Sequence, residues 1–191
     1  QWPAVDAVIN LMGENVGAGR WTEARRRNII LSRETALRNL TQNMPASVKH
    51  FLSASAVGFY GSRGESLLQE TSSVPDQADF LSQVCSIWEN QIEVLGKRYP
   101  KVQFQVLRIG MVLGSYGGAL SKLLPLFRNN LGSQLGDGQQ WMSWIHIDDL
   151  IRMISFLLLQ PIAGIFNAIS PEPVRNADFT KEMASQLDVF K

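Results

Sequence analysis

Short runs of β-branched and apolar residues alternate with long segments of helical period, and this alternation limits the chain more than any other feature. Residues 5–11 are rich in Val and Ile and run into Gly13-Glu14-Asn15, the pattern of a buried parallel strand that delivers a loop at its carboxyl end. Residues 22–44 follow. Thr22 can cap a helix there, Ile29, Ile30, Ala36, Leu37 and Leu40 fall on one apolar face, and Pro45 lies just past the stop. Val48-Lys-His-Phe-Leu-Ser53 is a second short strand, and the small residues of 54–61 let backbone approach a ligand closely. Residues 62–78 read as a surface loop. Asp79 can cap a second helix through residue 98, whose stripe of Phe80, Val84, Trp88, Ile92 and Leu95 reads as core, and residues 102–109 are a third strand.

Strand, helix, strand, helix, strand in this order argues for right-handed βαβ units and a parallel sheet, so the expected class is α/β. Beyond it, residues 110–118 are expected to form a glycine-rich loop before a helix at about 120–129, and 132–138 are turn-rich. Residues 144–147 read as extended, with Asp148 or Asp149 capping a helix over 150–159. A last strand is expected at 165–169, then a helix that starts near Asn176 and is cut off by the chain end. With no repeat or interdomain linker, one domain over 1–191 is expected.

Composition narrows the partners. The formal net charge is +1, which gives no electrostatic case for binding nucleic acid or an anionic membrane; a small-molecule partner fits better. The single cysteine, Cys85, excludes an intrachain disulfide and any Cys-based zinc site, and no metal site is expected. The longest apolar run, residues 153–159, is far below the roughly 20 residues a membrane helix needs. The single cysteine agrees with a reducing compartment, so the expected location is cytoplasmic, with an organelle lumen left open; the opening residues lack a basic region and a small-residue cleavage pattern, and the chain is expected to begin inside a fold.

Four segments together resemble one family. Asn10-Leu-Met-Gly-Glu-Asn15, Ser53-Ala-Ser-Ala-Val-Gly-Phe-Tyr-Gly61, Arg108-Ile-Gly-Met-Val-Leu-Gly114 with Gly117-Gly118, and Trp144-Ile-His-Ile-Asp-Asp149 stand in the order of the extended short-chain dehydrogenases. They look most like the atypical, epimerase-like subgroup within the NAD-dependent epimerase/dehydratase superfamily. The resemblance implies a Rossmann-like parallel sheet flanked by helices, in a single partial domain. It also implies a small C-terminal region, about 119–147 and 165–191, on the substrate side. The family's N-terminal βαβαβ portion, with its glycine-rich pyrophosphate loop, is expected to be absent, and Gly17-Ala-Gly19 is no substitute for it.

In the wider superfamily a Ser, a Tyr and a Lys carry hydride and proton transfer at the nicotinamide. The Tyr is the acid/base, the Lys cation lowers its pKa and holds the ribose, and the Ser polarises the substrate oxygen. Ser55 matches the Ser. Aligning Glu89 with the family's Glu on that helix puts Cys85 at the Lys position and Leu81 at the Tyr position. Leucine cannot transfer a proton and an uncharged thiol cannot replace an ammonium, so the standard mechanism is unsupported. Arg33 stands where the superfamily has a helix Asn. Two candidate substitutes remain: Tyr60, able to titrate if Arg33 or Arg108 lies near, and Cys85 as a nucleophile. Against them stand the alternatives of an aromatic packed under the loop and a packed thiol beside the cofactor.

For cofactor contact the resemblance implies Leu11, Met12, Gly13 and Glu14 near the adenosine and ribose, Ser53, Ala54 and Ser55 near the nicotinamide ribose, and Arg108, Ile109, Gly110, Met111 and Val112 around the nicotinamide. Arg33 and Cys85 join that set, while Arg25-Arg26-Arg27 on the same helix as Arg33 reads as a solvated face. Trp144 and His146 are expected on the substrate side. The alternative for His146 is a ring bonded to backbone or to Asp148; His50 reads as a surface residue. Trp141, Met142 and Trp144 can wall an apolar pocket with Gln139 and Gln140 as hydrogen-bond donors, and the alternative for Trp141 is an interface or core residue. Two functions follow: an oxidoreductase or sugar-nucleotide epimerase using NADP(H) or NAD(H) through Ser55 and another acid, or a non-catalytic protein that binds or senses NADP(H). The helices over 22–44 and 79–98 form a dimer interface in many relatives, which makes a homodimer an open expectation.

Overall fold

The computed structural model describes residues 3–42 and 44–187; the chain ends and Asn43, next to last in the helix expected over 22–44, lie outside the described residues. In chain order the elements are β1 (Ala7–Asn10), α1 (Glu23–Gln42), β2 (His50–Ala56), a 3-10 turn (Val57–Tyr60), α2 (Phe80–Arg98), β3 (Gln103–Ile109), β4 (Met111–Gly114), α3 (Gly118–Arg128), β5 (Trp141–Met142), β6 (Trp144–His146), α4 (Ile147–Leu159), β7 (Gly164–Ala168), β8 (Val174–Arg175) and α5 (Asn176–Gln186). They fall into two compact units: Gln1–Ser62, Leu67–Arg108 and Ile154–Asn167 make the first, and Arg63–Ser66, Ile109–Met153 and Ala168–Lys191 the second.

The first unit carries the central parallel sheet, in strand order β1-β2-β3-β7, flanked by helices. β1 and β2 pair in parallel from Ala7 opposite His50 to Asn10 opposite Ser53. Phe104, Gln105, Val106, Leu107 and Arg108 of β3 are all buried, as expected of a strand covered on both faces. Helices α1 and α2 supply Leu37, Trp88, Ile92 and Leu95 to a core closed by Phe51 and Phe104, whose ring centroids lie 5.2 Å apart. Burial stabilises by roughly 1.5–3 kcal/mol for each such side chain. Asp79 caps α2 by accepting the Ser82 N–H at 2.8 Å, and Thr22 Oγ1 accepts the Arg25 N–H at 3.3 Å ahead of α1, both as the sequence predicts. Gln105, polar in an apolar strand, donates through Nε2 to the carbonyls of Leu157 and Ile162 at 2.8 Å each; the first is a helix-end acceptor otherwise reached only by the Gln160 N–H at 3.3 Å.

Four expectations are corrected. β2 continues to Ala56, past the end expected at Ser53, so Ser55 stands on the strand, where it is buried. The stretch expected as a loop at 110–118 contains β4, because Met111, Val112 and Leu113 pair in parallel with Trp144, Ile145 and His146 of the second unit. Asp148 and Asp149 lie inside the first turn of α4 and do not cap it; the His146 ring accepts the Asp148 N–H through Nδ1 at 3.3 Å. Helix α5, expected to run to the chain end, ends at Gln186 among the described residues, where the Leu187 N–H closes on the Met183 carbonyl. Among the described residues no helix is long and apolar enough to cross a membrane.

Candidate functional site

In the first unit the carboxyl ends of β1 and β2 place side chains by strand period. Ser53 and Ser55, two apart, share a face of β2. Asn10, fully buried, donates through Nδ2 to Ser53 Oγ at 3.1 Å, and its Oδ1 accepts the Met12 N–H at 3.2 Å. That second bond turns the chain out of β1, leaving Leu11 and Met12 exposed and passing Gly13 over the side chain of Arg33. A Cβ on Gly13 would lie 2.9 Å from Arg33 Cζ. The loop is tied to α1 by the Glu14 N–H donating to Ser32 Oγ at 2.9 Å and by Arg25, which pairs with the Glu14 carboxylate at 3.3 Å and donates to the Asn15 carbonyl at 2.5 Å. Arg25 therefore leaves the solvated face expected of the basic run, and Arg26 lies 5.1 Å from the Phe80 ring centroid.

Arg33 donates through Nη1 to the carbonyls of Ile29 at 2.9 Å and Glu14 at 3.3 Å, and its guanidinium lies 4.9 Å from the Trp88 ring centroid. Its Nε–H is shut away from solvent and has no partner among the described residues. Burial lowers its pKa, with Cys85 and Glu14 opposing, yet an arginine remains a cation. Burial and the neighbouring Glu89 push the Cys85 thiol up, against weaker pulls downward from Ser55, the Ala56 backbone and Arg33. A buried thiol held in its protonated form is a poor nucleophile.

Behind these residues lies a closed polar network. Ser55 Oγ donates to Glu89 Oε1 at 2.5 Å. The Glu89 carboxylate takes Arg108 Nε at 3.1 Å and 3.3 Å on its two oxygens and Nη2 at 2.8 Å. Arg108 Nη1 donates to the Tyr60 hydroxyl at 2.9 Å and to the Glu70 carbonyl at 3.1 Å, and the guanidinium lies 3.5 Å from the Phe59 ring centroid. Tyr60 in turn donates to Asn167 Oδ1 at 2.6 Å. Arg108 is 2% exposed and Tyr60 4%. Burial alone would lower the Arg108 pKa; its bonds to Glu89 and Tyr60 more than offset this, and the net direction is up. A pair so buried persists only because every charge is answered.

The second unit holds the remaining predicted residues. Ile109 leads out of β3 into Gly110, where a Cβ would lie 2.7 Å from the Ser143 carbonyl, so no side chain fits. The Met111 N–H donates to that same carbonyl at 2.8 Å, and Val112 pairs with Ile145. Trp144 donates through Nε1 to the Glu172 carbonyl at 3.1 Å, and His146 is half exposed with its ring on the Asp148 N–H. Trp141 is held in a clasp. Arg175 stacks 3.9 Å above its ring and pairs with Glu65 at 2.5 Å, while Trp141 Nε1 donates to Glu65 at 3.3 Å. The bond from Arg175 holds the Glu65 carboxyl below the usual range. Gln140 spends its Nε2–H on the Leu135 carbonyl, and Gln139 gives its carbonyl to Arg175. Among the described residues no group of three or more His, Cys, Asp or Glu is placed to hold a metal ion.

With this geometry in view, comparison with known proteins is decisive on descent. The family model described as the NAD dependent epimerase/dehydratase family matches residues 2–168. The chain belongs to this family. An epimerase family protein of Mycobacterium leprae is 39% identical over 180 residues, covering 92% of this chain and 57% of that protein. The chloroplastic SDR39U1 homologue of Arabidopsis thaliana is 37% identical over 187 residues, covering 95% of this chain and 52% of that protein. The crystal structure of human epimerase family protein SDR39U1 with NADPH superposes with a TM-score of 0.88 at 31% identity, over 98% of this chain and 64% of that one. The chain thus spans between half and two thirds of the length of these relatives.

For this member of the epimerase/dehydratase family, sequence reasoning used Glu89 only to align the helix and placed Arg108 at the cofactor. The structure joins them. The signal was present: an acid inside the apolar stripe of α2 and an arginine inside an apolar strand are opposite charges at two core positions, and buried charges come paired.

Proposed function

We propose that this chain is the cofactor-binding core of a protein that holds NADP(H) or NAD(H) as a bound ligand, without the Tyr–Lys proton transfer of the wider superfamily. The observation that carries this reading is the contrast around Ser55. Arg33 offers an unpartnered N–H beside a glycine that no side chain can crowd, whereas each group able to move a proton is already engaged or protonated. That cradle suits an anionic, hydroxyl-rich nucleotide, and similarity to human SDR39U1, crystallised with NADPH, favours the same ligand.

In this reading Gly13 gives backbone room, and Arg33 binds a phosphate or ribose oxygen. Leu11, Met12, Glu14, Ser53 and Ala54 shape the loop and strand ends. Cys85 packs beside Ser55 as a protonated thiol. Arg108 acts from behind, holding Glu89 and Tyr60. Ile109, Gly110, Met111 and Val112 are proposed for the nicotinamide side, and Trp144 and His146 for a small-molecule substrate. When bound, the nicotinamide supplies a hydride donor or acceptor.

A second reading rests on one distance: Arg108 Nη1 lies 2.9 Å from the Tyr60 hydroxyl, the nearby cation that an acid role for Tyr60 requires. Against it, the Tyr60 proton is given to Asn167 and the ring is buried. The two readings separate in one experiment. NADPH is added to the protein and thermal unfolding followed, and nicotinamide absorbance is then followed with a panel of carbonyl compounds. A raised midpoint without absorbance change is expected; turnover that disappears in Tyr60→Phe would establish the second reading instead.

A further inference from the structure

Hydrogen-bond polarity at Ser55 is fixed by what lies behind it. Glu89 meets Arg108 through both carboxylate oxygens, with three contacts between 2.8 and 3.3 Å. A carboxylate so paired has no hydrogen to give. The 2.5 Å bond between Ser55 Oγ and Glu89 Oε1 must therefore take its hydrogen from the serine. A serine hydroxyl has one hydrogen and two lone pairs, so once that hydrogen is committed inward only acceptor capacity faces outward. Both partners are buried, Ser55 at 4% and Glu89 at 8% exposed, and no solvent competes for the hydrogen.

We infer that Glu89, locked by Arg108, is a positioning residue that makes Ser55 an acceptor, so that the site reads a hydrogen-bond donor on its ligand, a hydroxyl or an amide N–H. It does not polarise a carbonyl oxygen. The inference rests on the nucleotide-binding reading above and deepens it: the group set against Ser55 belongs to a ligand that is held.

The test is proton NMR of the whole 191-residue chain, free and saturated with NADPH. A short, sheltered hydroxyl–carboxylate bond gives a slowly exchanging downfield resonance, assigned by its loss in Ser55→Ala. The resonance is expected in the free protein, and it should persist with NADPH and with excess cyclohexanone. Ser55→Ala should weaken NADPH by about fivefold, the scale of one net hydrogen bond. Loss of the resonance on adding either ligand would mean that the hydrogen turns outward, and would overturn the inference. So would its absence from the free wild-type spectrum. Glu89→Gln offers an amide donor to Ser55 and should abolish the resonance; should that variant not fold, the wild-type spectra still decide. Failure of NADPH to perturb any resonance refutes the nucleotide reading alone, since the free-protein spectrum reports the polarity independently.

Discussion

Two corners of the first unit, both touching Cys85 or its neighbours, are built on opposite rules. At the β1–α1 corner an arginine lies under a glycine with one N–H unanswered, beside exposed Leu11 and Met12. At the β2–β3 corner another arginine is answered at Glu89, Tyr60 and Glu70, and is almost wholly buried. The first arginine keeps a buried N–H without a partner among the described residues, whereas each nitrogen of the second is engaged. The contrast is why Arg33, and not Arg108, is the residue proposed to meet a ligand: charge alone does not mark one.

The largest effect is expected where the closed corner is opened. Glu89→Ala leaves Arg108 buried without its counter-charge and should cost about 3–5 kcal/mol of stability, read from urea unfolding; a loss below ~1 kcal/mol would show the corner to be looser than its geometry. Tyr60→Phe removes one hydroxyl and leaves Arg108 Nη1 and Asn167 short of a partner. It should cost about 1–3 kcal/mol and leave NADPH binding as in the wild type, so a loss of binding would place Tyr60 at the ligand. Gly13→Ala works in the reverse sense. Its Cβ meets only the mobile end of Arg33, so stability should hold within about 0.5 kcal/mol while NADPH binding weakens on the order of tenfold as the charged contact is displaced.

The smallest effect is a pH dependence. Because the folded Cys85 pKa lies above its ordinary value, the folded state holds that proton more tightly than the unfolded chain. Its contribution is complete below the unfolded thiol pKa of about 8.5 and is lost as pH rises through the folded value. The difference in stability between wild type and Cys85→Ala should therefore shrink above that pH; a difference that grows would show a thiolate stabilised by Arg33.

Much of the fold is legible in the residues. The Val and Ile of β1, the Asp79 cap and the stripe from Val84 to Leu95 state their structure locally, since period and capping are short-range physics. What stayed hidden is long-range pairing. Nothing near Met111 announces β4, whose partner begins at Trp144, and nothing near Trp141 announces the clasp with Arg175 and Glu65. At the candidate site the resemblance named Arg33, Ser55 and Arg108 together. It could not separate them, because which donors are already spent depends on Glu89, Tyr60 and Asn167, far apart in the chain. Even the extension of β2 from Ser53 to Ala56, which brings Ser55 into the strand, is not written in the small residues of that stretch.

The division between an open and a closed corner is tested most directly by calorimetric titration of NADPH into Arg33→Ala, with its urea unfolding measured alongside. The account predicts affinity at least about tenfold weaker, the scale of charged hydrogen bonds, with stability changed by no more than about 1 kcal/mol, the scale of the lost contact with Trp88. Undiminished NADPH affinity in that variant, or a collapse of its stability, would contradict it.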